Sequence, residues 1–381
     1  MLKSYFTLLL IVFHQLIGLC QINPKSPDYP YDDTPETKKI ALQVTQGLTN
    51  DSLKVIAIYD WVIKSIDYDS VRYEKYFKTN IQEPTPKPNN CSVTLGKRKA
   101  ICSGYAYLFS AMCEQLGIKA FPIIGYGRSQ KEKIEKIPNH LWVTFKINDK
   151  WYLADPTWDS SSFKYNTRHG HKSIDYEFLM PNPQFFSQTH FPLDPMWQLV
   201  DNPMTFSFWK NDASSESVAK FNFNFSSRDT LNKFEVLDKQ KQFISSMNRI
   251  AQQDESAFYG LGELFVYYGK IFEENAVSYD NIRRKIVNTY NNKNGNDITK
   301  NLVNFKQELL PRLNLQERRF REIIDCYNKL TESISKNNVP FLEINSMKSN
   351  FRYFRELENG FIEERKLLNT TIRHLESLRK K

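Results

Sequence analysis

A cysteine at the start of a helix, a histidine at the start of a strand and an aspartate at the end of the next strand are the residues of this chain that could do chemistry together. Cys102 opens the run CSGYAYLFSAMCEQLG, His140 opens HLWVTFKI, and Asp155 follows WYLA and precedes Pro156. A thiol nucleophile needs such a set. The thiolate attacks a carbonyl, the imidazole moves the proton, and the carboxylate orients the imidazole. At a helix N-terminus the dipole and the free backbone N–H groups favour an anion on Cys102. The same N–H groups could hold a developing oxyanion. Ser103 and Gly104 allow close backbone approach beside it. Taken singly, each residue has a plainer reading. Cys102 would be the first residue of an apolar stripe, His140 an edge residue beside Leu141 and Trp142, and Asp155 a turn former before proline.

The elements that must position them follow from periodicity. The spacing predicts a helix from Cys102 to Leu116, with Cys102, Tyr105, Ala106, Phe109, Met112, Cys113 and Leu116 on one apolar stripe and Gly117 as its left-handed cap. Ala120 to Gly125 reads as a short strand, and Arg128 to Pro138 as a charged loop. Leu141 to Ile147 alternates as a strand, Asn148-Asp149-Lys150 is a tight turn, and Trp151 to Ala154 returns. Counted outward from that turn, 142 pairs with about 155 and 140 with about 157. His140 and Asp155 therefore fall within a residue or two of facing each other at the open end of the ladder. The result is an α+β arrangement, a cysteine-bearing helix packed on an antiparallel sheet. Upstream, Thr37 to Asp67 is helical in pattern, with Ile56, Tyr59, Val62, Ile63 and Ile66 at spacings of three and four and Asp51-Ser52 as the N-cap. Gln82 to Asn90, with three prolines, is a loop.

The chain has 381 residues, 40% hydrophobic, 25% charged and rich in Phe and Tyr, so it can build a sizeable core and a second region. Its formal charge is +9, but basic and acidic residues are interspersed. That describes a solvated basic surface and offers no clustered patch or motif for nucleic acid. Residues 1–20 read as a signal peptide, with Lys3, an apolar run from Tyr5 to Leu19, and Gly18 and Cys20 before Gln21. Ile17-Gly18-Leu19-Cys20 also resembles a lipoprotein box, but Leu19 is bulky for its place, and simple secretion to the envelope or beyond is preferred to a lipid anchor on Cys20. The run is short for a membrane span, and no other segment approaches the length one needs. Cys91, Cys102, Cys113 and Cys326 fit no zinc spacing and no disulfide framework; a Cys91–Cys113 bridge is the one pairing to check.

The remaining organisation is a leader over 21–36, a domain over 37–205, a Ser/Asn/Phe-rich linker over 206–230 and a helical domain over 231–381. Pro311 and Pro340 are expected to break its helices, and Asn291 to Asn296 reads as a turn. The segment from Arg355 to Lys381 reads as a bundle helix with a solvated face. Ile244 to Gly269 faintly resembles one tetratricopeptide helix pair, and a lone repeat is weak support for such an array. The helical domain is a candidate surface for an envelope protein partner.

The central segment resembles the transglutaminase-like superfamily of papain-type cysteine enzymes. The matching residues are Gly96-Lys97, Cys102-Ser103-Gly104-Tyr105-Ala106, Leu116-Gly117-Ile118, Asn139-His140-Leu141-Trp142, and Trp151-Tyr152 through Asp155-Pro156-Thr157-Trp158-Asp159. Ile66-Asp67-Tyr68-Asp69 also matches, and His190-Phe191-Pro192 through Trp197-Gln198-Leu199 resembles the kyphoscoliosis-peptidase-like subgroup. The resemblance covers about 40–205. It implies a Cys102–His140–Asp155 triad forming a thioester with a Gln side chain or a peptide carbonyl of a protein or peptide substrate. Water would then release an acid, or an amine would form a new amide. No cofactor or metal is implied. The family also uses an oxyanion side chain upstream of the cysteine; Trp61 is one choice, although its spacing suits the core. Trp142 and Trp158 read as hydrophobic support for the His and Asp strands. The alternative to an enzyme is a silent module of the same fold that binds protein or polysaccharide.

Overall fold

The computed structural model describes residues 34–77, 91–128, 138–160, 176–210, 226–253, 257–292, 300, 303–337 and 344–379. The signal segment, the leader up to residue 33, the loops at 82–90 and 129–137, the turn at 293–296 and Pro340 lie outside the described residues.

The chain divides into two compact units near residue 255. The first begins with α1 (Pro35–Val44), α2 (Asp51–Ser65), β1 (Asp67–Tyr68), α3 (Ser70–Phe77), α4 (Cys91–Lys97), β2 (Lys99–Ala100) and α5 (Cys102–Glu114). It continues through β3 (Ala120–Gly127), β4 (His140–Ile147), β5 (Lys150–Ala154), α6 (Pro156–Asp159), α7 (Pro183–Phe186), β6 (His190–Pro192) and a 3-10 turn over Pro195–Gln198. It closes with α8 (Phe206–Lys210), α9 (Ser227–Glu235) and α10 (Lys239–Ala251). Strands β5-β4-β3-β6 form one antiparallel sheet, and β1 pairs with β2 in parallel.

Helix α5 lies between the sheet and α2. That is why Leu108, Ser110 and Ala111 are buried along with the expected stripe: the helix is a central one, enclosed on most sides. Gly117 takes φ +77°, and the Ile118 N–H bonds back to the Cys113 carbonyl, closing the helix as glycine caps do. The β4–β5 hairpin has the counted register, Val143 opposite Ala154 and Ile147 opposite Lys150. Asn148 and Asp149 both have positive φ, the pair of left-handed residues that a tight two-residue hairpin turn requires.

Several expectations are corrected. The helical run from Thr37 to Asp67 is two helices: Gly47 turns the chain at φ +79°, and Asn50, not Asp51-Ser52, caps α2 by accepting from the Ser52 and Leu53 N–H groups. Ile56 faces outward, while Val55 and Ile58 join Tyr59, Val62 and Ile63 on the buried face. The domain boundary expected over 206–230 lies near 255 instead. Glu235 explains why. It accepts from Lys146 Nζ at 2.8 Å, Trp151 Nε1 at 2.8 Å and Lys119 Nζ at 3.3 Å, so α9 is fastened to the sheet. Arg249 of α10 likewise forks onto Asp194, at 2.9 and 2.7 Å. The Cys91–Cys113 bridge, a possibility the sequence did not favour, is not formed; Cys91, Cys102, Cys113 and Cys326 are all free thiols.

The second unit is helical, with α11 (Ala257–Asn292), a π turn (Asn304–Leu309), α12 (Leu310–Asn337) and α13 (Ile344–Arg379). Helix α12 packs on both α11 and α13. Pro311 does not end a helix. It sits at the second position of α12, directly after the π turn, and the widened turn absorbs the hydrogen bond a proline cannot donate. At 36 residues α11 is longer than an entire tetratricopeptide repeat, so Ile244 to Gly269 is no such helix pair. No helix among the described residues is long and apolar enough to cross a membrane.

Candidate active site

Cys102 is the first residue of α5 and is buried. Its neighbour Gly104 is required by packing: a Cβ there would lie 2.4 Å from Ala100 Cβ and 2.8 Å from Thr94 Oγ1. The helix thus starts hard against β2 and α4.

His140 is the first residue of β4, paired with Gly125 of β3. Asn139 fixes this strand entry. Its Oδ1 accepts from the Gly127 N–H at 2.8 Å and its Nδ2 donates to the Gly127 carbonyl at 3.0 Å. Gly127 leaves the space the imidazole uses, since a Cβ there would lie 3.0 Å from three atoms of the His140 side chain.

Asp155 follows β5 and caps α6. Its Oδ1 accepts from the N–H groups of Thr157 at 2.8 Å and Trp158 at 3.3 Å. Its Oδ2 lies 2.6 Å from His140 Nε2. The Tyr59 hydroxyl of α2 holds the surrounding backbone, sharing its one proton between the Asp155 carbonyl at 2.9 Å and Asp159 Oδ2 at 2.7 Å. The structure therefore joins two of the sequence-derived residues directly, Asp155 on one ring nitrogen of His140, and Cys102, at the start of α5, adds to the electrostatics of the same ring.

Electrostatics follow from that arrangement. Burial works against a charge on His140, but the Asp155 carboxylate and then Cys102 outweigh it, and the ring is pushed up to about 10. Burial also opposes ionised Asp155, yet His140 beside it and the hydrogen bonds from both histidines hold its carboxyl well below the usual range. With Nε2 committed to Asp155, Nδ1 is the His140 nitrogen left for the thiol.

Two residues here went unassigned in the sequence. His190, at the head of β6, places Nε2 3.1 Å from the same Asp155 Oδ2. It belonged to a matching motif, but an isolated histidine in an aromatic stretch gives no sign of its partner. Tyr68 pairs with Ala100 across β1 and β2, two residues before Cys102. Burial, followed by the proximity of Cys102, pushes its phenol far above the ordinary range, so it stays protonated. Trp61 is half-buried rather than core, and Arg98 covers its ring at 5.0 Å. Trp142 and Trp158 flank the His140 ring, with centroids 5.9 and 5.4 Å away, as supporting walls.

His140, Asp155 and His190 bring three ligand-type atoms within 4.8 Å of one another. Separations of 2.6 and 3.1 Å are hydrogen-bond lengths, so the set as it stands is a hydrogen-bonded network.

Residues 38–156 match the family model of the Transglutaminase-like superfamily. The chain is 25% identical over 183 residues to kyphoscoliosis peptidase of Mus musculus and of Homo sapiens, covering 47% of this chain and 26% of those proteins. The match thus spans about a quarter of the length of these curated relatives. Among solved structures, a candidate cysteine protease from Cytophaga hutchinsonii is similar at 25% identity, covering 32% of this chain and 37% of that one, with a TM-score of 0.24. A TGase is similar at 20% identity over 38% of this chain and 35% of its own, with a TM-score of 0.28. The first unit is an α+β fold whose residues 38–156 resemble the transglutaminase-like core, and the region after that unit is helical.

Proposed function

We propose that this transglutaminase-like domain is a cysteine enzyme acting on amide bonds of proteins or peptides through a thioester. The observation that carries the reading is the 2.6 Å His140–Asp155 contact, made on a ring whose charge is also favoured by Cys102 at a helix N-terminus. His140 takes the thiol proton and Asp155 stabilises the resulting imidazolium. Cys102 Sγ then attacks the carbonyl carbon. The oxyanion meets the N-terminal end of α5 at Cys102, and the protonated Tyr68 phenol is the nearby hydroxyl suited to join it. His140 returns its proton to the departing nitrogen. Water or a second amine releases the acyl group, giving a peptidase or amidase in one case and a transamidase in the other. The apolar run at 5–19 supports an exported enzyme, and the helical unit is the surface we assign to an envelope partner.

The test is the rate of Cys102 alkylation by iodoacetamide near neutral pH, with the labelled peptide mapped. Burial raises the Cys113 thiol and pushes Cys326 up to about 12, so neither competes. Cys102 should react faster than a cysteine in an unfolded peptide. His140→Ala should lower amide turnover about 10²- to 10⁴-fold, the usual contribution of a positioned acid–base group. Labelling no faster than in the unfolded peptide, or full amide hydrolysis by Cys102→Ala, would overturn the reading.

A further inference from the structure

The sheet holds a second histidine that the Cys102–His140–Asp155 chemistry does not use. His190 pairs with Gly127 of β3, on the opposite edge of that strand from His140, and is buried. Its Nε2 is 3.1 Å from Asp155 Oδ2 and its Nδ1 is 2.8 Å from Thr189 Oγ1. An ionised carboxylate has no hydrogen to give, so the ring nitrogen facing it must carry the proton. Nδ1 is then the acceptor, and the Thr189 hydroxyl at 2.8 Å is its donor, nearer to it than to the Phe186 carbonyl at 3.4 Å. The ring cannot turn. It stacks on Phe186 with centroids 3.9 Å apart and 16° between planes, and Trp158 and Trp142 enclose it at 4.4 and 5.1 Å. Burial drives it toward the neutral form, down to about 4, which leaves it one proton to donate at neutral pH.

We propose that His190 is a positioning residue: its Nε2–H donates to Asp155 Oδ2 and fixes the oxygen that this carboxylate presents to His140. The backbone N–H groups of Thr157 and Trp158 hold only Oδ1. Without His190, His140 is the one group among the described residues that holds Oδ2, and it is the group whose charge changes during turnover. A rigid neutral donor keeps the carboxylate in place while His140 gains and loses its proton. The proposal rests on the reading of Cys102, His140 and Asp155 as the reacting set.

Two measurements on the full chain test it. Nitrogen NMR of the His190 ring at pH 7 should show the neutral Nε2–H form. An Nδ1–H form or a cation overturns the proposal, whatever the activity of the protein. Alkylation of Cys102 is then compared in His190→Phe, which keeps the stacking shape but removes the donor, and in His190→Gln, which restores an N–H at similar reach. The Phe variant should alkylate about tenfold more slowly, the scale of losing an orienting partner. The Gln variant should recover to within about threefold of wild type. A Phe variant matching wild type, or a Gln variant as slow as Phe, overturns the proposal, because a packing role alone would not distinguish them. If Phe fails to fold, His190→Asn, too short to reach Oδ2, takes its place with the same expected loss. Wild-type Cys102 that reacts like an unfolded thiol would sink the enzyme reading, and the NMR result would then decide the case for His190.

Discussion

His140 and His190 share one carboxylate but respond to acid in different pH ranges. Burial holds His190 down to about 4, against an ordinary 6.5. Between those values the unfolded chain binds a proton that the native state refuses. Native stability therefore falls as pH drops from 6.5, and the loss is complete below about 4. His140 behaves oppositely: burial is outweighed by Asp155, the ring is lifted to about 10, and its contribution is full below 6.5 and lost as pH rises through 10. Asp155, held below its ordinary 3.8, keeps its contribution until stronger acid. Within this cluster, acidification from pH 6.5 to 5 thus samples His190 alone. Urea unfolding should show wild type losing roughly 1–2 kcal/mol over that interval, and His190→Gln losing distinctly less. Equal losses would mean that other groups set the slope. At this scale Cys102, His140 and Asp155 were legible because hairpin counting joins two of them and helix chemistry supplies the third. His190 was not, since its contact with Asp155 spans 35 residues and depends on β6 joining the far edge of β3.

Two glycines two residues apart on β3 separate what holds the sheet from what shapes the site. A Cβ on Gly125 would lie 2.2 Å from the Phe191 carbonyl oxygen and 2.4 Å from the Trp142 ring. The first is backbone of the paired strand and cannot yield without breaking the β3–β6 pairing. The nearest atoms to a Cβ on Gly127 belong to the His140 side chain, at 3.0 Å, and a shift of a few tenths of an ångström relieves them. Gly125→Ala should therefore cost roughly 1–3 kcal/mol or more, as overpacking does, with a visible fall in Tm. Gly127→Ala should leave Tm nearly unchanged while slowing Cys102 alkylation by displacing the imidazole. Equal thermal losses in the two would show that Gly127 is packed as tightly as Gly125. Element type and the β4–β5 register were readable from alternation and the Asn148-Asp149 turn. The break between α1 and α2 was obscured because the helical pattern runs on through it; Gly47 and the Asn50 cap are the local signals of the turn.

Across the first unit, one apolar cluster runs from the site wall to helices far along the chain. Trp142, Phe178 and Phe186 beside the histidines belong with Trp151, Met196 and Trp197, and the same cluster includes Leu231 and Phe234 of α9. Phe234 meets Phe121 edge-on at 5.8 Å and Trp197 at 5.6 Å. Composition suggested a boundary over 206–230 because polar, Ser- and Asn-rich sequence precedes a long helical stretch. It could not reveal that α9 and α10 return to the sheet, because the anchors, Glu235 on Lys146 and Arg249 on Asp194, are contacts of 89 and 55 residues in sequence. The magnitude decides what a truncation does. Burying Leu231 and Phe234 is worth about 1.5–3 kcal/mol each, so together roughly 3–6 kcal/mol, comparable to the whole stability of many domains. Removing α9 also leaves Lys146 and Trp151 Nε1 without the Glu235 carboxylate. A chain ending at residue 255 should unfold in one cooperative transition and retain alkylation of Cys102. One ending at residue 230 should lose that transition or bind a hydrophobic dye in buffer. A shorter chain with the same Tm and the same Cys102 reactivity would show that α9 and α10 only rest on a sheet that is stable without them.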